Sequence, residues 1–183
     1  MIGVKQKGFS LIEMLVAMAL FLTLALVVSD LYLRNHLQEQ KFLSVEKAQT
    51  EMSLLIKQIS EMIRKNKLIY ESNEESGASQ IFLQDEFGQQ IVVFFEPDSA
   101  EIKVSYADVD STLHSSALVI NDVQFLIWPQ EDPFYYDQNN QQYSSDAQPL
   151  VRIYISAENK TDNLQYKQIF SMQAMVSSRF YGR

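Results

Sequence analysis

Glu13 is the only charged side chain in the apolar run from Phe9 to Ser29. A carboxylate inside a membrane-length hydrophobic segment costs several kcal/mol unless something pairs with it. Its chemistry is therefore ion pairing within a bilayer, and the partner is what the sequence must supply. Candidates for catalysis are poor by comparison. His36 and His114 are the two histidines, and no H-E-x-x-H or G-x-S-x-G occurs. The five glycines never fall two apart, which excludes a Gly-rich phosphate loop. His114 beside Ser115 and Ser116 imitates a nucleophile–base pair only as sequence neighbours, an arrangement that is nearly always incidental. The paired acids Glu74-Glu75 belong to a linker, and Asn159-Lys160-Thr161 is a glycosylation sequon that needs a eukaryotic secretory context to matter. Cysteine is absent, so there is no disulfide, thiol nucleophile or Cys-bound zinc. We expect no enzyme activity, no cofactor and no metal site.

The elements around Glu13 explain its setting. The chain has 183 residues and 46% hydrophobic side chains, enough for one membrane helix and one modest globular domain. Its formal net charge of -8 argues against nucleic acid as a direct ligand, since phosphate neutralisation needs surplus Lys and Arg. Lys5 and Lys7 flank the apolar run, which predicts an N-terminus in the cytoplasm and the remainder outside. Phe9 to Ser29 contains no Pro or Gly and spans about 31 Å as a helix, the thickness of a hydrocarbon core. A cleaved secretory signal would have a shorter run and a small-residue site; Ala25-Leu26-Val27 and Val28-Ser29 imitate one poorly.

Lys7-Gly8-Phe9-Ser10-Leu11-Ile12-Glu13-Met14-Leu15 resembles the processing site of class III signal peptides, those of type IV pilins and type II secretion pseudopilins. A basic residue, Gly, Phe, a hydroxyl residue, a Leu-Ile pair and Glu fall in one register at the edge of a membrane span. The resemblance implies cleavage by a prepilin peptidase between Gly8 and Phe9, with N-methylation of the new Phe9 amine. Glu13 then matches the family's glutamate. Physics gives the arrangement a purpose. A neighbouring subunit displaced along a filament can bring its Glu13 to the Phe9 ammonium, and breaking such a buried pair costs about 3–5 kcal/mol. The alternative is a glutamate that snorkels to the headgroups.

The same resemblance implies a pilin-like α+β fold, in which one long N-terminal helix packs on an antiparallel sheet. It also implies partners: the prepilin peptidase, other pilins or pseudopilins, an inner-membrane assembly platform and membrane lipid. The C-terminal course, Gln148 to Ile155 and Phe170 to Arg179, is similar to the endings of minor pilins and of J-type pseudopilins. The absence of a C-terminal disulfide and of a Pro near Asp30 leans the same way. A different class of protein, a monomeric membrane-anchored extracytoplasmic binding protein, would keep residues 1–8 and tolerate loss of the Glu13 charge.

Periodicity gives the domain plan. Val45, Ala48, Met52, Leu55, Ile56, Ile59, Met62 and Ile63 recur every three or four residues. With no Pro or Gly to about Asn66, a continuous helix from Phe9 is about 86 Å long. With the leader (1–8) that the resemblance implies, the sequence divides further into a transmembrane segment (9–29), an extramembrane helix (30–66) and a β-rich domain (67–183). Within the last, Gln80–Gln84, Gln90–Glu96 and Ile102–Ala107 read as an antiparallel meander after a polar linker at Asn73–Gly77. Ala117–Ile120 and Val123–Trp128 are further strands around a possible turn at Asn121-Asp122. Leu150–Ala157 and Tyr166–Ser177 should pair as a hairpin about Asn159–Asn163. Pro129 to Pro149 has no sustained period. It is read as an ordinary solvated excursion, as a subunit-contact loop using Phe134, Tyr135 and Tyr136, or as a cation loop, although it matches no calcium-loop spacing.

Overall fold

The computed structural model describes residues 10–73, 78–107, 109–113, 117–138, 142–143, 147–161 and 166–178. The chain forms two compact units, Met1–Leu43 and Ser44–Arg183. One helix, α1 (Leu11–Lys65), supplies residues to both. Nothing in its sequence breaks it, and Glu13 in its first turn and Arg64 and Lys65 in its last complement the helix dipole. It stops where Asn66 turns back on the helix. The Asn66 N–H and side-chain Nδ2 both donate to the Met62 carbonyl, at 3.1 and 2.8 Å. The side chain thus adds a second donor to a carbonyl of the last turn and fixes the helix end there.

In the second unit the helical stripe is buried as its spacing predicts. Ala48, Met52, Leu55, Ile56, Ile59 and Ile63 face the core and Val45 and Met62 are half-buried, while Lys57, Gln58, Glu61 and Arg64 face solvent. Glu51, expected on the solvent face with them, is half-buried with its Oε2 enclosed. The strands divide over two main sheets, where the sequence reading had one. β1 (Lys67–Leu68), β2 (Gln80–Gln84), β3 (Gln90–Glu96), β4 (Glu101–Tyr106) and β5 (Val109–Thr112) form a five-stranded antiparallel meander in chain order. β6 (Leu118–Trp128), β9 (Leu150–Asn159) and β10 (Ile169–Ser177) form a three-stranded sheet in the order β10-β9-β6. A two-stranded ribbon, β7 (Tyr136–Asp137) with β8 (Gln142–Tyr143), lies in the connection between β6 and β9. Alternate residues of β2, β3, β4, β6 and β9 share one hydrophobic core with α1, among them Ile81, Val93, Ile102, Phe125, Ile153 and Ile155. Phe125 also donates its N–H to the Ala78 carbonyl at 3.0 Å, which stitches β6 to the entry of β2.

Turns follow local chemistry. The β2–β3 turn closes because the Asp85 carboxylate accepts the N–H groups of Phe87 and Gln89, at 2.9 and 2.8 Å, and the Tyr106 hydroxyl at 2.9 Å. Gly88 takes φ +83°, the left-handed region a side chain disfavours. Asn121-Asp122 is a β-bulge in one continuous strand and not a turn between two. β9 runs on to Asn159, beyond the expected end at Ala157, and β10 starts at Ile169, after the expected Tyr166.

Candidate membrane and assembly site

The first turn of α1 is a capping box. Ser10 N–H donates to Glu13 Oε2 at 3.3 Å, and Glu13 N–H donates to Ser10 Oγ at 3.3 Å. Two backbone donors that the helix start would leave open are thereby satisfied. The Glu13 carboxylate also sits at the positive end of the helix dipole. Its charge is thus stabilised partly within its own chain. The signal for this was in the sequence as Ser10-x-x-Glu13, yet the sequence reading gave Glu13 only an external partner.

From Leu11 onward the helix presents apolar side chains outward. It is long and apolar enough to cross a membrane, and none of its most apolar window is buried. Leu11, Ile12, Phe21 and Leu26 are all exposed along it. The core helix of a water-soluble fold would bury such a run. Its Thr23 hydroxyl is satisfied within the helix, donating to the Leu20 carbonyl at 2.8 Å. Polarity returns immediately beyond Ser29. Arg34 and Asp30 pair one turn apart at 2.9 Å, and the Tyr32 and His36 rings stack with centroids 6.5 Å apart. Gln40 Nε2 lies 3.2 Å from His36 Nε2. Charged and aromatic residues at this boundary are the composition of a headgroup region.

Residues 4–29 match the prokaryotic N-terminal methylation motif. The methylation motif covers the whole apolar stretch as well as Gly8 and Phe9, which lie outside the described residues. It supports a likeness to type IV pilins and pseudopilins, a structural class whose members are processed by a prepilin peptidase. Motif and exposed apolar helix together fit membrane anchoring. No curated protein and no solved structure matches the chain.

The described residues just after β6 form a defined turn. Asp132 Oδ1 accepts the Phe134 N–H at 2.9 Å and the Asp132 carbonyl accepts the Tyr135 N–H at 3.2 Å, so a tight turn presents the aromatics. Phe134, Tyr135 and Tyr136 are all exposed, and Tyr136 opens β7. Pro133 beside them is buried and anchors the turn. The Tyr70 hydroxyl is enclosed with no hydrogen-bond partner among the described residues. Burial first, and then the Asp132 carboxylate, push its pKa well above the ordinary tyrosine value.

Other singled-out residues separate. His36 lies on α1, whereas His114, Ser115, Ser116, Glu74, Glu75 and Arg179 lie outside the described residues. Among the described residues no three His, Asp or Glu side chains cluster as metal ligands. Asn159 of the sequon is 1% exposed. It accepts the Gln168 N–H at 2.7 Å and donates to the Tyr166 carbonyl at 3.0 Å and to Ser44 Oγ at 3.3 Å. A buried amide engaged at both ends is a structural clasp. Asn73 clasps the edge of β2 in the same way, exchanging hydrogen bonds with both backbone groups of Phe82 at 3.0 Å. Amide side chains in a predicted linker and a predicted turn gave no sign of either role.

Proposed function

We propose that this chain is a minor subunit of a type IV pilus or of a type II secretion-like pseudopilus, with a J-type pseudopilin as its nearest functional counterpart. Prepilin peptidase cuts between Gly8 and Phe9 and methylates the Phe9 amine. The new ammonium then meets Glu13 of a neighbouring subunit as the helix enters a filament. In this reading residues 9–29 span the inner membrane, 30–66 continue the helix outside, and 67–183 form the extracytoplasmic domain. Sibling pilins or pseudopilins and the inner-membrane assembly platform are its partners, and Phe134, Tyr135 and Tyr136 offer a subunit contact.

The single observation that carries the proposal is the methylation motif at residues 4–29, coincident with an apolar helix that leaves its side chains exposed. Intact-mass spectrometry of the membrane-extracted protein tests it. The expected product starts at N-methylated Phe9. Retention of residues 1–8 in cells with active peptidase would instead favour a monomeric anchored binding protein.

A further inference from the structure

The outer face of the three-stranded sheet bears an apolar row interrupted by a cation. Leu126, Arg152 and Met175 lie side by side across β6, β9 and β10, and Trp128 lies opposite Leu150 in the next row. Trp128 is 60% and Met175 58% exposed. A groove of about 690 Å³ runs over these residues, and Glu131 lies on its wall. A second hollow of about 330 Å³ shares Arg152 and Met175 and is completed by Gln173 and Ala174.

Three properties set this face apart. Trp128 is the chain's one tryptophan, a residue that folding normally uses as buried area, yet here it stands outside the core. Trp, Arg and Met are the types enriched at protein contacts, where a large apolar body or a planar cation gains most from losing water. Arg152, like several other cations of this domain, has no carboxylate partner among the described residues, but it alone stands between Leu126 and Met175 in the groove. An unpaired guanidinium between two apolar neighbours, in a chain of net charge -8, selects an anion. Its planar fork matches a carboxylate. Glu131 borders only the larger groove, so an incoming acid is directed toward the Gln173 side.

We propose that this groove docks a peptide segment of a partner protein. One apolar side chain sits between Trp128 and Met175, and an adjacent Asp or Glu pairs with Arg152. Docking here does not depend on how the N-terminus is processed. Because Trp128 is the sole tryptophan, its emission reports occupancy directly.

The full chain in phosphatidylcholine vesicles is titrated with acetyl-Ser-Leu-Asp-Leu-Ser-amide and with versions carrying Asn or Lys in place of Asp. The Asp peptide should give a saturable blue shift, with the other two at least about tenfold weaker, as expected for a hydrogen bond to a charged group. Arg152→Gln should weaken the Asp peptide by a similar factor and Arg152→Lys by less, whereas Glu131→Gln, which removes a like charge from the groove wall, should tighten it. Circular dichroism checks that each variant is folded. If Arg152→Gln is misfolded, the Arg152→Lys loss and the peptide series decide. Equal binding of all three peptides, indifference to both Arg152 variants, or no saturable shift with any peptide would each overturn the inference. So would an identical shift from raising protein concentration alone, which would mean that the groove receives a second copy of this chain.

Discussion

Ser10 and Glu13 exchange hydrogen bonds at the start of α1, so Glu13 has local work before any neighbour reaches it. Two substitutions separate that work from intermolecular pairing. Glu13→Gln keeps an acceptor for the Ser10 N–H and removes the charge, whereas Glu13→Ala removes both. If pairing with a neighbouring Phe9 amine guides assembly, both should abolish cross-links to sibling subunits; preserved cross-links in Glu13→Gln would leave only the cap. Ser10→Ala should cost the helix start about 1 kcal/mol and speed amide exchange in its first turn. The capping box was legible in the residue spacing. The aromatics at Phe134–Tyr136 were legible as exposed, but the Asp132 turn that presents them rests on side-chain-to-backbone bonds that composition does not reveal.

At the scale of elements, the helix and the strands at Gln80–Gln84 and Gln90–Glu96 followed from periodicity because each buries one face. β5 could not be read this way, since all four of its residues are exposed and no apolar alternation marks it. Nor does a period of two say which strands pair, so the division into two sheets was hidden. Ile59 is fully buried between helix and sheets. Ile59→Ala should therefore destabilise the second unit by about 2–5 kcal/mol, read as a lower denaturation midpoint by Trp128 fluorescence. The hairpin joining β3 to β4 carries a pH signature. The Lys103 ammonium, and then the Ser99 hydroxyl, hydrogen-bond Glu96 and hold its carboxyl below the usual carboxylate range. The unfolded chain thus binds more protons there, and this contribution is complete above the ordinary glutamate value and lost as pH falls through the folded one. Lys103→Met should flatten the loss of stability across that acid window, measured by thermal melts at stepped pH.

For the molecule as a whole, every core residue from Ala48 onward belongs to Ser44–Arg183, while the exposed apolar stretch belongs to Met1–Leu43. A chain reduced to 44–183 should accordingly stay folded and dissolve without detergent, with a cooperative melt and monomeric sedimentation. Aggregation of that fragment would show that its core needs the preceding helix. The buried face of α1 is made early in synthesis, but the Ile153 and Ile155 side chains that complete its core come about ninety residues later. At a translation rate of about 5–20 residues per second, that core stays incomplete for on the order of 5–20 s. Asn159 can reach Ser44, 115 positions earlier, only after this interval. Contacts this distant in sequence slow closure of the core, so the last hairpin is the step that completes the fold.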